Sequence, residues 1–345
     1  MSRSGTQEGE RRAGGTACVA SPAGRIGARR APGPCAASRT TAVRLPRRIA
    51  LLSVAWLLAQ ATPLVALTGL PAPAHAAVTI EDDHGTRLTF TEPPARLISL
   101  LPSMTEAVCA LGACDRLVGV DRHSNSPAAI TTLPRLGGLE DTQVERVVAL
   151  RADVILAEPS ARVIDRLRAL GQRVLVLEIR DHRDVRRLLE LLGDLLGERP
   201  RADALWRSIQ TQLDQAAARV PATMRGKRVY FEVASAPYAA GSASFIGETL
   251  TRLGLGNIVP ADMGPFPRLS PEFIVRAQPD IVMAADRELA GMRSRPGWSR
   301  LQALREHQEC GFEPARYDML VRPGPRLGEA ALSLADCVTG LAVNR

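Results

Sequence analysis

"VERVVALRADVILA" occupies residues 144–157, and "PEFIVRAQPDIVMA" occupies residues 271–284. Laid over one another at an offset of 127, they share Glu, Val, Asp and Ala at four of 14 positions and exchange Val/Ile or Leu/Met at four more. Each reads as a short helical stretch, a break, and an apolar run opened by Asp, which is the pattern of a helix feeding a buried strand. A chain that carries this unit twice is built from two similar α/β halves.

The flanking sequence fits that frame. "AVTIEDDHGTRLTF" reads as a hairpin around Asp83-His84-Gly85. "ARLISLLPSMTEAVCALGA" reads as a buried strand, a turn and a helix, with Ser103 and Glu106 spaced as a capping box. "RLVGV", "DVILA" and "QRVLVLE" supply three more strands of a first half over residues 77–180. Residues 181–222 lack strand character and predict two helices broken at Gly197–Pro200. The second, Pro200 to Val220, has apolar spacing and a length of about 30 Å at 1.5 Å per residue. The second half, residues 223–345, repeats the plan through "KRVYFEV", "FIGETLTRLGLGNIV", "PEFIVRAQP" and "DIVMAA". The expected fold is α/β: two Rossmann-like lobes joined by a long helix, with a ligand cleft between them, because ligands sit beyond the carboxyl ends of such strands.

The net charge of +8 suggests a nucleic-acid binder until the charges are located. Residues 1–76 hold ten Arg, no Lys, and only Glu8 and Glu10 as acids, which leaves 34 basic and 34 acidic residues beyond them. A neutral folded part excludes charge-driven nucleic-acid binding. The front reads as an export signal: basic "RLPRR", apolar "IALLSVAWLLAQATPLVALTGL", then "PAPAHA" with Ala74 and Ala76 at the small-residue positions. This predicts a cleavable signal peptide cut after Ala76, and a periplasmic protein. Twenty-two mostly apolar residues are also long enough for an uncleaved anchor, but Gln60, Thr62, Pro63 and Thr68 favour cleavage. Residues 1–42 are unlike a signal and point to a true start near Val43; no Cys follows the apolar run as a lipoprotein would need. Sec and Tat export are both compatible with Arg47-Arg48.

Of six Cys, Cys18 and Cys35 lie in this leader. Cys109, Cys114, Cys310 and Cys337 remain, and four Cys allow three pairings; Cys310 with Cys337 is one candidate. No C-x-x-C and no multi-donor His cluster marks a metal site. No G-x-S-x-G, Walker or H-E-x-x-H motif is present. The reading as an exported α/β enzyme therefore lacks a nucleophile, base and orienting group.

"RLISLLPSMTEAVCALGACDRLVGVDRHSNSP", "LPRLGGLEDTQVERVVALRADVILA", "YAAGSASFIGETLTRLGLGNIV" and "LSPEFIVRAQPDIVMA", in this order, resemble the periplasmic solute-binding proteins of ABC importers. The group is the one with a rigid helical link between its lobes, which takes up cobalamin, iron–siderophores and haem; the cobalamin-binding members are the most similar. The resemblance covers roughly residues 78–340. It implies no catalysis and no resident cofactor. It implies a ligand held between the lobes of a monomer with little lobe motion, and delivery to a two-fold permease dimer in the inner membrane. Ligand-facing positions would be Ser103, His123 and Leu139 in the first half and Tyr238 and Phe266 in the second. Aromatic walls suit a planar macrocycle, although the cobalamin-binding members carry Tyr and Trp at the places of His123 and Leu139. Haem, with His123 as an iron ligand, or a ferric siderophore drawn by Arg122, Arg268 and Arg322, are the alternative cargoes. Glu145 and Glu272, one per lobe, would dock into Arg pockets of the two permease subunits. As residues alone, Thr142-x-x-Glu145 also reads as a capping box and Ser270-Pro271-Glu272 as an N-cap, N1 and N2.

Overall fold

The computed structural model describes residues 77–235 and 237–343. The export signal, its cleavage point after Ala76, the start near Val43, and Cys18 and Cys35 lie outside the described residues. A hairpin comes first, with β1 (Val78–Glu81) antiparallel to β2 (Arg87–Phe90) and Gly85 at φ +75° in its turn. There follow β3 (Leu97–Ser99), α1 (Pro102–Ala110), β4 (Leu117–Val120), α2 (Val144–Ala149), β5 (Val154–Ala157), α3 (Ile164–Ala169) and β6 (Val174–Val176). The four strands β3 to β6 form a parallel sheet in the order β4-β3-β5-β6. Every residue of β3, β5 and β6 is buried, as expected of strands covered on both faces.

Two helices come next, α4 (His182–Leu196) and α5 (Arg199–Arg219). Asp181 caps α4 by accepting the Asp184 N–H, and Gly197 ends it in the left-handed conformation that an L side chain rarely adopts. Pro200 restarts the chain in the first turn of α5, where its missing N–H costs nothing.

The second half runs β7 (Arg228–Ala234), β8 (Tyr238–Ala239), α6 (Phe245–Arg252), β9 (Gly256–Asn257), α7 (Pro271–Ala277), β10 (Ile281–Ala285), α8 (Asp286–Met292), α9 (Gln302–Arg305), β11 (Glu309–Phe312), α10 (Pro314–Leu320) and α11 (Leu327–Val343). Its parallel strands lie in the order β9-β7-β10-β11, with the short β8 antiparallel on β7. This repeats β4-β3-β5-β6 strand for strand, so the sequence duplication is a duplication of topology. The aspartates of the repeat do the same work in both sheets. Asp153 accepts the backbone N–H groups of Ala95 and Arg96 at the entry of β3, and Asp280 accepts that of Arg228 at the entry of β7. Arg151 and Gln278, also register-equivalent, both turn the chain from helix to strand at positive φ, 47° and 43°.

α5 has 21 residues and is therefore about 31 Å long. At its start Arg201 donates to Leu111 O at the end of α1; towards its end Asp214 pairs with Arg252 of α6 and Arg219 with Asp336 of α11. α11 lies along α5, and Gly328 permits the approach, since a Cβ there would fall 2.2 Å from Gln212 Oε1. Disulfides join Cys109 to Cys114 and Cys310 of β11 to Cys337 of α11. One apolar cluster runs from Leu97 and Met104 through Leu189, Ile209, Leu213 and Leu334 to Phe231 and Met283. Two smaller clusters cover the outer faces of the sheets, one around Ile155 and Ile164, the other around Tyr230 and Trp298.

Two expectations about helix starts are corrected. Ser103 is not the cap of α1: Leu101 is the N-cap and Pro102 follows it into the first turn, which places Ser103 inside the helix. Glu106 is drawn instead to two guanidinium groups, a stronger attraction than a backbone N–H offers. Likewise Gln143, not Thr142, precedes α2, and the Thr142 hydroxyl donates to Gly138 O. Ser270 does cap α7, accepting the Phe273 N–H.

Candidate functional site

A cavity of about 250 Å³ opens at the carboxyl ends of β3 and β4. Leu100, Leu101, Pro102 and Ser103 wall it where β3 turns into α1; Asp121 and His123 follow β4. Gly138 and Leu139 come from the loop before α2, and Val321, Arg322 and Pro323 from the connection between α10 and α11. The second half of the chain thus closes a pocket built mainly by the first.

Asp121 is buried at this wall. It accepts the Ser124 hydroxyl at 2.5 Å and the His123 N–H at 2.9 Å, and Ser124 continues through Thr105 to Ser99. Burial raises the Asp121 pKa above the usual carboxylate value, against the pull of those two hydrogen bonds. The His123 ring makes no hydrogen bond among the described residues, while its carbonyl accepts from Arg322 Nη2 at 3.1 Å. Leu139 is held by a tight loop: Asp141 accepts the Gly138 N–H and pairs with Arg122.

Arg322 is not an available cation. Its guanidinium donates to Glu106, Asn125, Asp318 and the His123 carbonyl. Arg326 also reaches Glu106, through two bonds of 2.8 and 2.7 Å. Glu106 is 5% exposed, so a buried ion cluster ties α1 of the first lobe to the segment leading into α11. Nothing in the local sequence signals this cluster, because its members stand more than 200 positions apart. Asp121 is a second site residue that pattern reading misses, since a single Asp after a strand resembles an ordinary turn.

Of the five positions expected to face a ligand, the cavity brings together Ser103, His123 and Leu139. Tyr238 and Phe266 lie outside its lining, on a ribbon of the second lobe. Tyr238 bridges Arg268, and the N–H groups of Ala239 and Gly241 donate to Pro267 O and Pro265 O. In that antiparallel register the two aromatics share one face of the ribbon. Phe266 rests on Phe245 at 5.9 Å, and both expected aromatics are exposed. Met263, also exposed, precedes the same ribbon.

Glu145 and Glu272 occupy the second position of α2 and of α7. Helices that return antiparallel to the strands begin at the carboxyl edge, so each acid sits at the carboxyl edge of its own sheet, and neither lines the cavity. Glu145 pairs with Arg166 at 2.9 Å on the exposed surface, and Glu272 is exposed.

The Periplasmic binding protein family matches residues 97–309 of this chain. An uncharacterised ABC transporter substrate-binding lipoprotein of Bacillus subtilis is 30% identical over 272 residues, covering 76% of this chain and 85% of that protein. A cobalamin-binding protein of Halobacterium salinarum is 30% identical over 259 residues, 69% of each. The crystal structure of a periplasmic haem-binding protein from Pseudomonas aeruginosa superposes with a TM-score of 0.62 at 26% identity, over 72% of this chain and 93% of that one. Two lobes of equal topology and a cavity at the carboxyl ends of β3 and β4 agree with these matches. The chain belongs to the periplasmic binding protein family, the substrate-binding components of ABC importers, and is not an enzyme.

Proposed function

We propose that this protein binds a corrinoid, cobalamin in the first instance, between its lobes and delivers it to a two-fold permease in the inner membrane. The observation that carries the choice of ligand is the state of Arg322. It is the one arginine or lysine in the cavity lining among the described residues, and Glu106 and Asp318 neutralise it. Arg122 is likewise paired, with Asp141. A cleft meant for an anionic ferric siderophore needs uncompensated positive charge. The remaining walls are mostly aliphatic, with Ser103 and Asp121 as polar points, which suits an apolar macrocycle edged by neutral hydrogen-bonding groups. A pocket of about 250 Å³ lies below the usual 300–1,000 Å³ of ligand sites. It takes one edge of such a ligand, and the exposed Tyr238 and Phe266 offer a wall for the rest.

In this reading the lobes are residues 77–180 and 223–345, linked by 181–222, in an exported protein that acts as a monomer. Glu145 and Glu272 are its two permease contacts. A second reading, haem, draws on one observation: the His123 imidazole lines the cavity with its ring nitrogens unbonded among the described residues. Isothermal titration with cyanocobalamin, haem and a siderophore panel decides. Absence of heat with cyanocobalamin at high micromolar concentration sinks the corrinoid reading. A Soret shift with haem, lost in His123→Ala, replaces it with the haem one.

A further inference from the structure

Ser103 is 1% exposed, lines the cavity, and its hydroxyl has no hydrogen-bond partner. Buried hydroxyls are seldom left unpaired, because an unmet donor costs about 1–3 kcal/mol. This one lies in the first turn of α1, a nine-residue helix whose leading N–H groups have no carbonyl within the helix to meet. An unpaired hydroxyl and first-turn amides at one cavity wall form a donor set waiting for an acceptor oxygen.

The charges around it say which kind of oxygen. Asp121 lines the same cavity, and the nearby cations Arg322 and Arg326 are already held by Glu106 and Asp318. A carboxylate arm would approach the Asp121 carboxyl with no free cation in the lining to offset it. A carboxamide oxygen accepts the same hydrogen bonds without that repulsion.

We infer that the Ser103 hydroxyl and the first turn of α1 bind a neutral carboxamide oxygen at the ligand's edge, and that the Asp121 carboxyl on the same wall selects amide over acid. This rests on the corrinoid reading, since corrinoids carry carboxamide arms around the ring.

The test titrates the protein and its Ser103→Ala and Asp121→Asn variants with cyanocobalamin and with each monocarboxylic acid isomer made by hydrolysing one peripheral amide. Ser103→Ala should weaken cyanocobalamin binding about fivefold, the usual worth of one hydrogen bond. Its Tm should stay level or rise, since the hydroxyl holds nothing in the protein and its removal relieves an unmet buried donor. At least one acid isomer should bind the unmutated protein more weakly than the amide, with that penalty reduced in Asp121→Asn, which removes the opposing charge, and not in Ser103→Ala. Equal affinity of Ser103→Ala for cyanocobalamin, a lowered Tm in that variant, or indifference of the unmutated protein to every acid isomer overturns the inference. If the unmutated protein binds no cyanocobalamin, the corrinoid reading itself has failed and the amide assignment falls with it. The donor role of Ser103 is then judged by haem and a ferric siderophore: unchanged affinity in the variant, or no binding at all, overturns that too.

Discussion

Arg326 Nη2 lies 2.7 Å from Glu106 Oε1, although the two residues stand 220 positions apart in the chain. With Arg322 on the same carboxylate, this contact fastens the start of α11 to the first lobe, while α5 makes a separate crossing. The two halves are thus tied at two places, through α5 and through this buried ion cluster. Glu106→Gln keeps the shape and removes the charge that both guanidinium groups face. Breaking a buried pair by removing one partner costs about 3–5 kcal/mol. Because Asp318 still compensates Arg322, we expect about 3 kcal/mol, read as a lower urea midpoint with an unchanged m-value. A loss below about 1 kcal/mol would place the pair with weak surface bridges.

Glu145 and Glu272 carry the prediction about the permease. Both sit in first helical turns, where a carboxylate gains only about 0.3–1 kcal/mol from the helix dipole. The Glu145–Arg166 pair is exposed and adds little. Glu145→Ala and Glu272→Ala should therefore leave ligand affinity and the urea midpoint close to the parent values, while each lowers ligand uptake by cells. The double variant should lower uptake further. A single variant that loses ligand binding or unfolds would reassign that glutamate to the fold.

His182 supplies a pH dependence of stability. It is buried at the N-terminus of α4, with Nε2 2.9 Å from Thr249 Oγ1 and 3.1 Å from Phe245 O on α6. Burial lowers its pKa below 6.5, outweighing Glu248 and Asp181, which pull it up, while Arg252 pushes it further down. The unfolded chain then binds the proton more readily than the folded one. Stability is fully present above about pH 6.5 and falls as the pH drops below it, by at most about 1.4 kcal/mol per pH unit. Urea midpoints measured between pH 7.5 and 5 should slope downward for the parent and less so for His182→Gln. Equal slopes would mean that His182 does not carry the trend.

Much of this architecture is legible in the sequence because it rests on local pattern. The buried strands β5, β6 and β10 are continuous apolar runs, the α4–α5 break is written by Gly197 and Pro200, and Ser270-Pro271 announces α7. β11 is not announced, since it is four residues with Gly311 inside, and its burial comes from Cys310 and Phe312. Ser103–Glu106 shows how a correct local signature loses to a distant partner. Its spacing fits a capping box, yet two arginines from the end of the chain claim the carboxylate and leave the hydroxyl facing a cavity. The site is less legible than the fold for the same reason, as Arg322 reads as a free cation until its three-dimensional partners are known.

Asp153 and Asp280 test whether the repeated segment is a working unit. Each accepts backbone N–H groups at the entry of the neighbouring central strand, and each donates its own N–H back to the residue there, Arg96 O or Arg228 O. A hydrogen bond to a charged acceptor contributes about 1.5–3 kcal/mol. Asp153 holds two N–H groups, whereas Asp280 holds one and adds Lys227 at 3.5 Å. Asp153→Ala should therefore cost about 3 kcal/mol and Asp280→Ala about 2 kcal/mol. The two sites lie in different sheets and share no partner, so the double variant should lose close to the sum. Chemical denaturation of the three variants checks this. A double variant that loses much more than the sum would show that the lobes do not tolerate independent damage, and that the apolar cluster through α5 and α11 couples their unfolding. Costs under about 0.5 kcal/mol for both single changes would mean the repeated aspartates are free to vary, and that strand entry is fixed instead by Arg151 and Gln278 at positive φ.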